Sequence, residues 1–211
     1  MQPLKTKKNI IIEIANSITH GLGVGLAIAG LVFLMIRAAH TGSPIRIVTF
    51  AIYGSLLILF YLASTMFHAL VFTKAHHVFQ VFDHSMIFLL IAGTYTPYCL
   101  VSIGGALGWT LFGIVWAMAV CGVIYKSIWL NRVSVWSTII YVVMGWLCLF
   151  AFKPLWVSLT PVGFYLLLSG GILFTLGALV YTKPNEYSHL IWHVFVLAGT
   201  ITMYFSILFY V

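Results

Sequence analysis

Seven stretches of nearly unbroken apolar residues divide the chain, at about 14–36, 47–68, 79–100, 106–125, 134–152, 162–182 and 188–210. At 1.5 Å per residue each can cross a hydrocarbon core about 30 Å thick. The runs are continuous rather than alternating, which excludes a transmembrane barrel. Turn chemistry separates them: Thr41-Gly42-Ser43-Pro44, Ser102-Ile103-Gly104-Gly105, Lys153-Pro154, Thr160-Pro161 and Lys183-Pro184-Asn185. The faintest boundary lies between spans three and four, where Gly104-Gly105 interrupts an otherwise apolar stretch. No linker or low-complexity tract breaks the pattern. The pattern predicts an all-α membrane protein, a seven-helix bundle forming one domain over residues 1–211.

Composition supports lipid as the solvent. Of the 211 residues 63% are hydrophobic and only 6% charged, whereas a soluble domain carries about 25% charged residues. The net charge of +7 does not indicate nucleic acid, because the basic residues are scattered through loops and form no stripe. Their distribution reads as topology. With the N-terminus inside, Lys5, Lys7, Lys8, Lys74, Lys126, Arg132 and Lys183 fall on the cytoplasmic side, and Arg37, Arg46 and Lys153 fall opposite. That asymmetry predicts a multi-pass protein of the cell membrane with its N-terminus cytoplasmic and its C-terminus outside. Lys5-Thr6-Lys7-Lys8 ahead of an apolar run has the look of a signal peptide. Glu13, Asn16 and His20 interrupt that run and no small-residue cleavage site follows, so it reads as a retained first span. Cys99, Cys121 and Cys148 stand alone in apolar stretches, without CxxC spacing, and read as small packing residues.

The remaining polar residues fall in one layer on this topology. Glu13 and His20 lie early in span one, Ser64 and His68 close span two, Asp83 and His84 open span three, and His189 and His193 open span seven. All are at helix ends facing the cytoplasm. An acidic side chain at a helix centre costs about 2.5–3.5 kcal/mol on insertion scales, so Asp83 needs a polar or positive partner even nearer the interface. His189 and His193 are four apart and share one helix face, as do Ser64 and His68. Two histidines at i and i+4 with a third from another helix match the three-ligand set of a catalytic zinc site, whose fourth position stays open. Neutral imidazole suits Zn²⁺, and no thiolate cluster competes. Asp83 and Ser64 are placed to hold a water at the metal or to orient a ligand. The rival reading is a core network in which histidines and aspartate satisfy one another. Glu13, Asn16 and His20 read as a packing network supporting span one, His76 and His77 as solvated loop residues, and His40 as interfacial. His84 points about 100° away from Asp83 around the helix and stays out of the ligand set.

At these residues the chain resembles the hemolysin III family, the bacterial branch of the progestin and adiponectin receptor superfamily. Along nearly the whole chain the resemblance is carried by Glu13-Ile14-Ala15-Asn16-Ser17 with Thr19-His20, Leu62-Ala63-Ser64-Thr65 with His68, and Phe82-Asp83-His84 leading into Ile91-Ala92-Gly93-Thr94-Tyr95-Thr96-Pro97. Met144-Gly145-Trp146 and His189-Leu190-Ile191-Trp192-His193 complete it. The resemblance implies a seven-helix fold with a cytoplasmic N-terminus. It also implies a zinc ion on His68, His189 and His193 with Asp83 and Ser64 beside it. The superfamily includes alkaline ceramidases, and its receptors are credited with hydrolysing lipid amides. This sequence lacks the long polar N-terminal domain of the animal receptors, so a hormone-receptor role does not carry over.

The leading expectation is therefore a zinc hydrolase acting within the membrane on an amide or ester of a lipid with an acyl chain. Asp83 would move the proton and Ser64 would hydrogen-bond the water or oxyanion. One alternative is a non-enzymatic zinc- and lipid-binding protein of membrane homeostasis. Another is a cytolysin, as the family label suggests, although a chain this apolar has no water-soluble form with which to reach another cell.

Overall fold

The structure, a computed structural model, describes residues 7–129, 134–183, 185 and 187–211. Lys5, Thr6, Arg132 and Pro184, which enter the topology and turn readings above, lie outside them. The described backbone is helical almost throughout: α1 (Lys7–Thr41), α2 (Pro44–Ala69), α3 (His76–Pro97), α4 (Gly105–Ile128), α5 (Ser134–Trp146), α6 (Phe152–Ser158), α7 (Thr160–Tyr181) and α8 (Ser188–Tyr210). A wide π turn, Tyr98–Ile103, prolongs α3, and a tight 3-10 segment, Leu147–Ala151, joins α5 to α6. Seven units are long and apolar enough to cross a membrane, with α5, the 3-10 segment and α6 together making the fifth. The chain is a multi-pass membrane protein.

The chain reverses where its residues allow it. Gly42 (φ 62°) ends α1, and Pro44 opens α2, where its missing N–H costs nothing. Pro97 cannot donate to the carbonyl one turn back, and the helix widens immediately after it. Gly104 (φ 63°) and Gly105 (φ 55°) then take the left-handed conformations that turn the chain into α4. The faint Gly-Gly boundary of the sequence is thus a tight turn between two membrane-spanning helices.

Two expected boundaries shift. The first span is not confined to 14–36, because α1 runs as one helix from Lys7 to Thr41 and carries Glu13 inside it. Hydropathy stops where polar side chains begin, but backbone hydrogen bonding continues into the interfacial layer. The fifth span does not end at 152 with Lys153-Pro154 as a turn. Pro154 sits in the first turn of α6, where no backbone donor is required, and the reversal comes at Thr160 (φ 58°).

Packing follows chain order around the bundle. The sequence-neighbours α1/α2, α2/α3, α3/α4 and α7/α8 lie side by side, α8 returns against α1, and α5 rests on α3 and α7. Small residues let the helices close up: a Cβ on Gly122 of α4 would meet the Phe88 ring of α3 at 2.5 Å. Phe88 in turn packs edge-on against Tyr141 of α5, with ring centroids 4.5 Å apart. Outward, Ile18, Leu22, Phe33, Trp109 and Phe150 are exposed, the belt a lipid solvent requires. The cysteines are all free; Cys99 is buried and Cys148 half-buried, whereas Cys121 lies on the exposed belt rather than in the packing.

Candidate metal centre

Two helices, one ending and one starting at the same face of the bundle, bring three imidazoles together. The last turn of α2 carries His68, and the first two turns of α8 carry His189 and His193. One ring nitrogen from each lies within 4.8 Å of the other two. His189 Nε2 is 3.2 Å from His68 Nε2, and His193 Nδ1 is buried with no hydrogen-bond partner. His68 and His193 are buried, and His189 is half-buried. The i,i+4 spacing on α8 supplies two of these donors from one helix face, as its sequence predicts.

Glu13 of α1 completes the cluster from outside. Its Oε2 accepts a hydrogen bond from His68 Nδ1 at 2.6 Å. A proton held on Nδ1 leaves a lone pair on Nε2, the nitrogen that faces His189. A carboxylate on the far nitrogen of a histidine is the usual support for a metal ligand and sets both its tautomer and its basicity. Sequence reasoning missed this role and placed Glu13 with Asn16 and His20 in a network within span one. Instead Glu13 reaches across to α2, while Asn16 Oδ1 and both nitrogens of His20 are buried without partners. His20 stacks on His193, with centroids 3.7 Å apart and planes 18° apart, and takes the edge of Tyr61 at 5.1 Å. It therefore fixes the plane of a donor ring. The available signal was periodicity: Glu13, Asn16 and His20 at i, i+3 and i+7 lie on one inward stripe of α1.

A consequence follows for Glu13. If the histidines hold a divalent metal ion, replacing Glu13 with Ala should weaken its binding about 10- to 100-fold, the usual effect of removing such a support. Competition with a chromophoric chelator reads this directly, and an unchanged affinity would show that Glu13 does not orient His68.

Ser64 and Asp83 are placed differently. Ser64 is fully buried one turn from His68, and its Oγ has no partner. Asp83 is also buried, but it stands apart from the three-histidine group. Its carboxylate lines a cavity of about 490 Å³ together with His84, His189, Tyr141 and Tyr181. His84 Nδ1 donates to Gln80 O at 2.8 Å and lies 3.9 Å from Asp83 Oδ2. His84 thus stays outside the donor set, as its helical angle predicts, but faces the same cavity as Asp83. Beyond this polar end the lining turns apolar, through Leu90, Phe174 and Leu167 to Leu155 and Met203. On α3 it extends from Asp83 to Tyr98, a rise of about 22 Å at 1.5 Å per residue.

The other histidines take no part. His40 and His77 are exposed. His76 is not simply solvated: its ring stacks on Phe67 at 4.5 Å, and its Nδ1 is 3.1 Å from Phe67 O, tying the α2–α3 turn together.

Imidazoles converging in a buried layer, one backed by a carboxylate, are a donor set that could hold a divalent metal ion. The sequence as a whole is similar to known proteins. The sequence is 46% identical to Hemolysin-3 of Bacillus cereus over 94% of this chain and 91% of that protein. It is 48% identical to the Hemolysin-3 homolog of Bacillus subtilis, over 94% and 93% of the two chains. It is also 28% identical to the human monocyte to macrophage differentiation factor, over 92% of this chain and 82% of the human protein. The family model described as haemolysin-III related matches residues 8–204, a span that reaches into every helix of the bundle and includes all three clustered histidines, and the chain belongs to that family.

Proposed function

We propose that this protein is a zinc-dependent hydrolase of a lipid amide or ester, working within the cytoplasmic half of the membrane. The observation that carries the reading is the cavity, which joins His189 and Asp83 at its polar end to a long apolar interior. Ligand sites are commonly apolar clefts of about 300–1,000 Å³ with a few convergent polar groups. An acyl chain along the apolar part brings the bond behind it to the histidine layer.

His68, His189 and His193 would hold the zinc. Tetrahedral ligands at a Zn–N distance near 2.05 Å stand roughly 3.4 Å apart. The 3.2 Å between His68 and His189 nitrogens is already close to that, and the 4.8 Å limit leaves a small inward adjustment for the third. None of the three cysteines belongs to the donor group, and an all-imidazole set suits zinc. Zinc bound there supplies Lewis-acid activation of water and of a carbonyl.

The other groups handle protons and charge. The Asp83 carboxylate accepts the proton given up by the attacking water and returns it to the leaving nitrogen or oxygen as the acyl bond breaks. Ser64 Oγ, unpartnered in the buried layer, donates to the oxygen on which negative charge develops. The walls of Phe60, Tyr141 and Phe174 keep bulk water from the acyl chain. The excess of Lys and Arg in the loops on this side favours a cytoplasmic location for the layer.

Purified protein loaded with zinc in lipid nanodiscs should release fatty acid from a long-chain N-acyl amide or ester, and chelation should abolish the release. Zinc-loaded protein inert toward both classes points to the non-enzymatic reading. The names of the Bacillus relatives raise lysis of foreign membranes. The lipid-facing belt of Ile18, Leu22, Phe33 and Phe150 argues against a water-soluble form able to deliver it.

A further inference from the structure

One cation in the bundle is left without a task by the hydrolase reading. Lys126, in the last turn of α4, is only 3% exposed. Among the described residues it makes no hydrogen bond and no ion pair, and its side chain lines the same cavity as Asp83 and His189. Lysines near the ends of membrane helices ordinarily extend their ammonium groups to interfacial water. An enclosed ammonium without a counter-charge is strongly unfavourable, and a protein retains one where something negative comes to meet it.

Helix register places Lys126 at the polar end of the cavity. α3 begins at His76 and α8 at Ser188, so Asp83, His84 and His189 lie within the first turns of their helices. α4 runs back from the Gly104–Gly105 turn, so its last turn returns to that same face. The resulting polar end has the histidine cluster and a carboxylate on one wall and, among the described residues, the Lys126 ammonium on another. The remainder of the cavity is apolar.

We propose that Lys126 is the receptor for an acidic head group, so that the cavity takes a long-chain amphiphile bearing a carboxylate or a phosphate monoester at its polar end. The inference rests on the cavity being a lipid site, as argued above, and narrows the class of lipid. In hydrolysis this anion is either a charged group on the part of the substrate behind the scissile bond or the carboxylate of the released acid. A free fatty acid and a lysophospholipid-like phosphate present the same chemistry, negatively charged oxygens that accept up to three N–H donors from one ammonium.

A competing account is that Asp83 and Lys126 neutralise each other through water across the cavity, leaving no charge for a ligand. Affinities separate the two. With the full-length, zinc-loaded protein in nanodiscs, displacement of a fluorescent fatty acid would be measured for palmitate, hexadecyl phosphate and hexadecanol. Wild type should bind one or both acids about ten- to a hundredfold more tightly than the alcohol, the effect of one buried charge-assisted contact. Lys126→Gln should reduce that preference by at least tenfold while leaving the alcohol unchanged, and Lys126→Arg should keep most of it. Comparing variants in the same metal state removes any attraction of the acids to zinc. The unchanged alcohol affinity also reports that the variant is folded. Palmitate alone being preferred identifies a fatty acid, and hexadecyl phosphate alone identifies a phosphate head. A wild-type preference near unity, or one that Lys126→Gln leaves intact, overturns the assignment of Lys126 but not the lipid cavity. Failure of all three amphiphiles to displace the probe overturns both.

Discussion

Replacing His193 with Ala should leave the purified protein essentially free of zinc under conditions that saturate the wild type. Apparent binding energies of closed four-ligand zinc sites are about 10–16 kcal/mol, or roughly 3–4 kcal/mol per ligand. Loss of one donor then weakens binding roughly 10²- to 10³-fold. Among the described residues no other donor joins the group of mutually close ligand atoms: His20, stacked on His193, lies outside it. Elemental analysis of protein in detergent reads the outcome, with circular dichroism confirming that the helices remain. His84→Ala and His76→Ala are the matched controls. Their ring nitrogens are engaged with the carbonyls of Gln80 and Phe67, so both variants should keep one zinc per chain. Stoichiometric zinc in His193→Ala would remove the three-histidine assignment.

Much of this architecture could be read from the chain because lipid imposes simple rules. A span must be apolar over its whole length, so seven runs of about 20 residues translate into seven helical units. The fifth span shows where the rule fails. Hydropathy cannot distinguish a proline that ends a helix from one in the first turn of the next, so Lys153-Pro154 resembles a loop while the chain continues to Ser158. The site divides in the same way. Contacts set by spacing along one helix, such as His189 with His193, follow from the 3.6-residue turn. Contacts set by how two helices cross do not. Glu13 on α1 and His68 on α2 are 55 residues apart, and although topology puts both in one layer, nothing in either segment specifies that their side chains meet. Lys126 has the same difficulty. As a charge in a list of loop-flanking cations it reports topology, and only the packing of α3, α4 and α5 encloses it in the cavity.

Asp83→Asn should separate chemistry from metal binding. Asp83 lies outside the group of three histidines, so its amide variant should retain one zinc per chain and near-normal affinity. If its carboxylate carries the proton between water and leaving group, turnover of a long-chain lipid amide should fall about 10²- to 10⁴-fold, the range that general acid–base catalysis contributes. The size of Asn matters here, because it preserves the packing of a buried position and removes only the capacity to accept and return a proton. Ser64→Ala should have a smaller effect, since its hydroxyl donates one hydrogen bond whereas Asp83 acts in both halves of the reaction. A non-enzymatic metal site gives a different pattern: wild type and Asp83→Asn carry equal zinc and are equally inert. Parallel measurement of zinc content and product release makes these patterns distinguishable, because loss of activity with loss of metal would reduce Asp83 to a structural support. Retention of zinc with loss of turnover is the one combination that assigns the proton transfer to its carboxylate.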